Sequence, residues 1–188
     1  MSRKYKFYHP EGLYFLSTAV VYWVDVFTRS TYKEIVIDSL QHCIEQKGLV
    51  LYAYVIMSNH IHLIISKQQD APTFSDIMRD FKKFTSMKII KAIKANPQES
   101  RKEWLLTMLA AAGKKNSNNT TYQFWQQNNH PIALEGNWID EKLAYIHNNP
   151  VKAGWVNEPE AYFFSSARNY AGLLSPMKIT SIYDGITI

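Results

Sequence analysis

Two histidines separated by one residue are the first feature of this sequence that suggests chemistry. His60 and His62 flank Ile61 in a run of apolar and β-branched residues that is typical of a β-strand. Because side chains alternate along a strand, both imidazoles project from the same face of a sheet. Two imidazoles on one strand make half of a metal site, but histidines in this setting are also common as hydrogen-bonded structural residues. Spacing alone leaves both roles open.

A second pair of polar side chains lies far downstream. The segment from Leu143 to Pro150 reads as the end of a helix, and it places Tyr145 and Asn149 one turn apart on one face. If this face meets the histidine strand, a phenol, an amide oxygen and two imidazoles converge. Without such a meeting, Tyr145 is a half-buried aromatic of an amphipathic helix and Asn149 is a helix C-terminal residue before proline.

The two segments together resemble a known family. Met57–Leu63 and Tyr145–Gly154 are similar to the motifs of single-tyrosine transposases that carry a His-hydrophobic-His motif, in particular the branch associated with repetitive extragenic palindromes (REP). Looser similarity extends from Gly12 to about Tyr170. The resemblance implies cleavage and rejoining of single-stranded DNA at hairpin ends, with a 5′-phosphotyrosine and a free 3′-hydroxyl as products. It also implies an α+β fold of the ferredoxin-like type, a mainly antiparallel sheet with helices packed on one face.

The resemblance assigns roles to the four side chains. Tyr145 is expected to be the nucleophile, and His60, His62 and Asn149 are expected to hold Mg²⁺ or Mn²⁺. A ligand set of imidazoles, an amide oxygen and waters is better suited to such an octahedral ion than to a closed zinc site. A phenol, with an ordinary pKa of about 10, is also a competent leaving group, so the broken strand can be rejoined. Related insertion-sequence transposases have glutamine where this chain has Asn149.

Basic residues are candidates for holding the DNA backbone. Arg79, Lys82 and Lys83 lie in a lysine-rich predicted helix, and Lys152 follows the proline of the tyrosine motif by two residues. Single-strand recognition combines such cations with aromatic side chains that stack on bases. Arg79, Lys82 and Lys83 are equally well explained as residues of a solvent-exposed helix face without a role in DNA binding.

The elements that must position these side chains can be read from patterns of apolar residues, caps and turns. The predicted order is strand, helix, strand, strand, helix and strand, followed by the tyrosine helix. The first half of the chain is predicted to hold a strand at 13–21, a helix with a capping box at Thr31 and Glu34 and a stop at Gly48, and strands at 49–56 and 60–66. The second half is predicted to hold a helix opened by Thr73, a last strand or extended segment at 122–127, and a tyrosine helix capped by Asn137 and ended by Pro150.

Composition sets broader limits. With 188 residues, 46% of them hydrophobic, the chain can fill one core, and we expect a single IS200-like domain with its core at about 12–170 and an unassigned C-terminal tail. A net charge of +5 suits a polyanionic partner. The single cysteine, Cys43, excludes an internal disulfide, and no apolar run is long enough to span a membrane. We therefore expect a cytoplasmic protein, either monomer or homodimer.

Two other functions remain open at this point. The fold could serve as a hairpin-binding repressor that has lost its chemistry. Alternatively, a metal-dependent phosphoesterase could use an activated water while Tyr145 merely packs. Both alternatives keep the histidines and differ in what Tyr145 does.

Overall fold

An antiparallel sheet of four strands forms the centre of the fold, in the order β2-β3-β1-β4. The computed structural model describes residues 7–116, 121–127 and 129–188. The strands are β1 (Tyr14–Ala19), β2 (Leu49–Ile56), β3 (His60–Lys67) and β4 (Ile132–Ala133), and the helices are α1 (Ser30–Lys47), α2 (Phe74–Ala95), α3 (Lys102–Lys114), α4 (Trp138–Lys152) and the short α5 (Ala167–Tyr170). The predicted α+β class with an antiparallel sheet is confirmed. None of the helices in these ranges has the length and apolar character to cross a bilayer.

The two faces of the sheet bury different sets of side chains. On one face, Ile61, Leu63 and Ile65 of β3 join a large core with residues of α1 and α2. On the other face, Ile64 packs with Leu143 and Ile146 of α4. This alternation follows from the two-residue period of a strand, so His60 and His62 share the face that α4 covers.

Local sequence signals predict some of the helix boundaries correctly but not all of them. Gly48, at φ +64°, ends α1 as predicted, and the Thr73 hydroxyl caps α2 by accepting from the Asp76 N–H at 3.2 Å. The predicted capping box at the start of α1 is wrong, because the helix begins at Ser30 and its N-cap, Arg29, makes no side-chain cap. Arg29 instead pairs with the buried Glu99 at 2.9 Å, so a tertiary ion pair fixes this end.

The segment 122–127, predicted as a strand or an extended segment, does not form a regular strand. Within that segment only Trp125 forms a bridge, with Val20 at the end of β1. β4 instead pairs with Tyr14 and Phe15 at the start of β1. Between these two contacts the Gln126 N–H bonds the Ala19 carbonyl and the Ser17 N–H bonds the Asn129 carbonyl. His130, at φ +43°, interrupts regular pairing. The edge of β1 is therefore covered in pieces rather than by one strand.

α4 continues further than its proline predicts. Pro150 lies inside the helix, which ends at Lys152. Proline removes only one backbone donor here, and its buried ring packs against the body. Gly154, at φ +71°, then closes the helix: the Trp155 N–H bonds the Pro150 carbonyl at 3.0 Å, the pattern of a Schellman motif. Asn137 occupies the N-cap position, but its side chain makes no capping bond.

The outer edge of β2 is covered by two segments: the one around Phe164, predicted to pack on the body, and the tail beyond about Leu173, which was unassigned from sequence. The Thr180 N–H bonds the Leu51 carbonyl at 2.9 Å, and the Ile56 N–H bonds the Phe164 carbonyl at 3.0 Å. Met177 and Ile179 are buried beside them. Because unpaired edge strands invite association with other chains, this cover protects the sheet.

One histidine of α4 fixes the helix to the rest of the molecule. His147 Nε2 lies 2.9 Å from Ser166 Oγ, and that hydroxyl also accepts from the Tyr54 N–H on β2 at 2.9 Å. Burial lowers the pKa of His147 from 6.5 to about 4. The imidazole points away from Tyr145 and acts as a neutral structural contact.

This contact predicts how stability depends on pH. His147 is protonated below pH 6.5 in the unfolded chain, but only below about pH 4 in the folded chain. Stability is therefore lost as pH falls through this window, by roughly 2 kcal/mol between pH 7 and pH 5 for one such histidine. In urea denaturation, His147→Gln should remove about that much of the pH dependence. His42→Gln, at an exposed position on α1, is the control, and an unchanged dependence in His147→Gln would contradict the assignment.

Candidate active site

The structure brings His60, His62 and Tyr145 together. The two imidazoles stand at the start of β3 with ring centroids 4.7 Å apart. The Tyr145 hydroxyl lies 3.5 Å from Nε2 of His62, and the two rings are 5.2 Å apart. Residues separated by 83 positions therefore meet at one point on the sheet.

The packing of α4 explains why Tyr145 lies where it does. Leu143 and Ile146 are buried against the sheet in the same cluster as Phe15 and Val55. Tyr145 sits between them in sequence, at the border of this apolar contact, with its ring edge-on to Phe15 at 5.9 Å. It remains 37% exposed. Its hydroxyl thus reaches the histidines while part of the side chain stays in contact with solvent.

Asn149 joins the same group from one helical turn further on. Its amide nitrogen donates to the Tyr145 carbonyl at 3.0 Å, which leaves the amide oxygen for other partners. Burial lowers the pKa of His60, and a hydrogen bond with the Asn149 side chain partly opposes this by favouring the charged ring. The predicted third ligand therefore lies beside the first.

Burial keeps both imidazoles neutral. Desolvation lowers the pKa of His60, against smaller opposing effects from Asn149 and Asp25. It lowers the pKa of His62 to about 3, and the neighbouring His60 and Lys142 act in the same direction. Neutral imidazoles at pH 7 have a lone pair available, which is the state that a metal ligand needs.

A hydrogen-bond chain that sequence reasoning missed fixes the protonation of His60. The Asn59 amide nitrogen donates to the Trp23 carbonyl at 3.2 Å and to Asp25 Oδ1 at 3.0 Å. Its oxygen is therefore the atom 2.6 Å from His60 Nδ1, so Nδ1 is the donor. The lone pair of His60 is then on Nε2. The available signal was the position of Asn59, directly before the histidine pair.

The donor set fits the expected ion. Nδ1 of His62 is buried and, in the part of the chain that the structure describes, meets no hydrogen-bond partner of regular geometry. The nearby Leu16 carbonyl favours a proton on the ring. Among the residues described, no third His, Cys, Asp or Glu completes a cluster, and Cys43 lies in the core across the sheet. Two imidazoles and the Asn149 amide oxygen form an open site that suits Mg²⁺ or Mn²⁺ with waters.

Two lysines of α4 flank Tyr145. Lys142 Nζ lies 5.4 Å from the centre of its ring and Lys152 Nζ lies 5.6 Å from it. Lys152 was predicted as a DNA contact, whereas Lys142 was missed. With Tyr145 and Asn149, these lysines occupy positions spaced by three, four and three residues, which is one face of a helix. That spacing could have identified Lys142 from the sequence.

The other three predicted DNA contacts lie on α2, which packs on the opposite face of the sheet. Arg79 pairs with Asp76 and Asp80. Lys82 donates to the Gln126 carbonyl at 2.9 Å, and burial lowers its pKa to about 8. Lys83 is exposed. The structure therefore does not bring these three side chains to Tyr145.

Comparison with known proteins gives a family and a fold. Residues 14–149 match the family described as "Transposase IS200 like". The structure of a REP-associated tyrosine transposase bound to a REP hairpin superposes with a TM-score of 0.64 at 20% identity, covering 100% of this chain and 99% of that one, so the fold is shared. A candidate transposase of Deinococcus radiodurans R1 gives a TM-score of 0.42 at 18% identity, covering 78% of this chain and 97% of that one. No curated protein matches.

The hydrogen bond from His60 to Asn59 predicts a measurable effect on metal affinity. Asn59→Ala should weaken Mn²⁺ binding by about 10- to 100-fold, as loss of a partner that orients a ligating histidine commonly does. Electron paramagnetic resonance of free Mn²⁺ measures this directly. Asn148→Ala is the control, because the Asn148 amide bonds only the Ala144 carbonyl of its own helix. Equal Mn²⁺ affinity in Asn59→Ala and the wild type would rule out the orienting role.

Proposed function

The chain belongs to the IS200-like transposase family, and we propose that it cleaves and rejoins single-stranded DNA at hairpin ends. In this proposal Tyr145 is the nucleophile, and His60, His62 and Asn149 hold Mg²⁺ or Mn²⁺. The observation that carries the proposal is the 3.5 Å approach of the Tyr145 hydroxyl to Nε2 of His62, on a face that solvent can reach. A hydroxyl inside the core could not attack DNA, so this placement supports the proposal.

The proposed chemical step is a transesterification. The Tyr145 oxygen attacks the scissile phosphorus, and the bond from phosphorus to the 3′-oxygen of the neighbouring nucleotide breaks. The phenol proton reaches the departing 3′-oxygen through water, which has access to the exposed side of the ring. The products are a 5′-phosphotyrosine and a free 3′-hydroxyl. Since one ester replaces another, attack by a 3′-hydroxyl reverses the step and joins strands.

The side chains around Tyr145 have distinct tasks in this step. His60 and His62, held neutral by burial, present lone pairs beside the Asn149 amide oxygen. A bound divalent cation would neutralise the charge that develops on the scissile phosphate. Lys142 and Lys152 stand on either side of the phenol and would hold the phosphates next to the scissile one.

Two observations support a hairpin as the substrate. The similar fold at a TM-score of 0.64 belongs to a transposase bound to a REP hairpin. The motifs at Met57–Leu63 and Tyr145–Gly154 also resemble those of the REP-associated branch. We therefore propose that this chain belongs to that branch and that its DNA is the hairpin formed by a palindromic repeat. The net charge of +5 is favourable for such a partner.

A covalent-adduct experiment tests the proposal. The protein is incubated with a labelled hairpin oligonucleotide that carries single-stranded flanks, in the presence of Mn²⁺, and is then separated under denaturing conditions. We expect a labelled protein band that disappears in Tyr145→Phe, because that substitution removes only the attacking oxygen. Tyr183→Phe is the matched control, since the Tyr183 ring is 69% exposed and its hydroxyl bonds Asp140 instead.

The same experiment separates the alternatives. Free cleavage products without an adduct, unchanged in Tyr145→Phe, would indicate a phosphoesterase that activates water. Binding of the hairpin with neither adduct nor products would indicate a DNA-binding protein that has lost its chemistry. Either result would contradict the role given to Tyr145.

A further inference from the structure

Two exposed aromatic residues follow β1 in an unusual backbone conformation. Tyr22 and Trp23 lie in the 3₁₀ turn Val21–Trp23, at φ 56° and 55°. Bulky residues rarely adopt this left-handed conformation, because the Cβ atom crowds the backbone. Their rings are 44% and 56% exposed. The strained turn therefore directs two large aromatic side chains away from the core.

The surrounding structure holds this turn in place. Val21 and Val24 on either side are buried, and the Val24 N–H bonds the Val21 carbonyl at 3.3 Å. The Trp23 carbonyl accepts from the Asn59 side chain at 3.2 Å. Strained backbone that is fixed by several contacts is concentrated at functional sites. Here one of the contacts comes from the residue that orients His60.

The turn lies directly beside the proposed active site. The Trp23 ring is 5.6 Å from the His60 ring, in an edge-to-face arrangement. The Val20 N–H at the start of the turn bonds the Asn59 carbonyl at 2.8 Å. A nucleotide whose phosphate is near His60 therefore has Trp23 within reach of its neighbouring base.

A polar cleft continues from the other ring. Lys115 Nζ lies 5.5 Å from the centre of the Tyr22 ring. Lys115 also lines an open cavity of about 400 Å³, and the other described residues that line it are Asn116, Gln123, Gln126 and Gln127. Gln126 ties this cleft to the turn, since its amide nitrogen donates to the Val20 carbonyl at 3.3 Å. Aromatic faces, a cation and amide groups are the combination that binds unpaired nucleotides.

From this arrangement we propose that Trp23 and Tyr22 form a stacking platform for unpaired bases of single-stranded DNA next to the scissile phosphate. The strand continues from the platform into the cleft beside Lys115. Stacking tolerates any base, so the platform holds the single strand without reading its sequence. This inference rests on the proposed function, because it names the part of the DNA that lies beside the active site.

Binding measurements without cleavage test the platform. The probe is an oligothymidylate of about 20 nucleotides, and a blunt duplex of the same length is the comparison, both in EDTA with fluorescence anisotropy as the readout. Trp23→Leu should lower the affinity for the single strand by about 5- to 100-fold, the range for loss of one base stack. Trp23→Phe should retain most of the affinity because it keeps an aromatic face. Duplex binding should be unchanged in both variants.

The matched control is Trp104→Leu, at a tryptophan that is 50% exposed on α3. The platform is overturned if Trp23→Leu binds the single strand as tightly as Trp104→Leu does. It is equally overturned if Trp23→Leu and Trp23→Phe lose the same affinity, or if duplex binding falls in parallel, because these results indicate a general structural effect.

Photocrosslinking gives the contact directly. An oligonucleotide containing 5-iodouracil should crosslink to the peptide that carries Tyr22 and Trp23, as identified by mass spectrometry. Crosslinks found only on other peptides would overturn the platform. The covalent adduct at Tyr145 is measured separately, so a platform that fails while the adduct forms is distinguishable from failure of the proposed function itself.

Discussion

The structure depends on the apolar contact by which α4 lies across one face of the sheet. Leu143 and Ile146 are buried in one cluster with Phe15, Val55 and Ile64. Hydrophobic burial has no directional preference of its own, but the positions of these two residues set where α4 lies on the sheet and how it is rotated about its axis. Rotation matters because Tyr145 lies between the two anchors in sequence. With the anchors buried, the phenol falls at the border of the contact, where it meets His62. Hydrophobic packing in this way places the hydroxyl of a partly exposed side chain 3.5 Å from an imidazole nitrogen.

The same face gathers polar groups whose protonation the fold sets. Burial holds His60 and His62 neutral, and the Asn59 amide oxygen accepts a hydrogen bond from Nδ1 of His60. The lone pair of His60 is therefore on Nε2. Lys142 and Lys152 add positive charge beside the Tyr145 ring. Under the proposed function, the imidazoles would hold a cation and the lysines would hold DNA phosphates.

Sequence predicted the parts of this arrangement that depend on short-range patterns. Two apolar runs predicted the hairpin of β2 and β3. Gly48, which adopts the left-handed conformation, predicted the end of α1. Tertiary contacts decided the rest: an ion pair with Glu99 replaced the expected cap of α1. β4 formed ten residues later than the predicted start of that strand, where the chain returns to Phe15. In the link from Asp25 through Asn59 to His60, Asn59 lies directly before His60, but Asp25 is 34 positions from Asn59, so no local pattern could reveal that contact.

The most direct test of the account is a crystal structure of the protein soaked with Mn²⁺, with anomalous scattering recorded to locate the ion. We expect one strong peak at about 2.1 Å from Nε2 of His60, Nε2 of His62 and the amide oxygen of Asn149, with the Tyr145 hydroxyl facing it. A peak elsewhere, or no peak at Mn²⁺ concentrations that support DNA cleavage, would contradict the claim that these residues form the metal site.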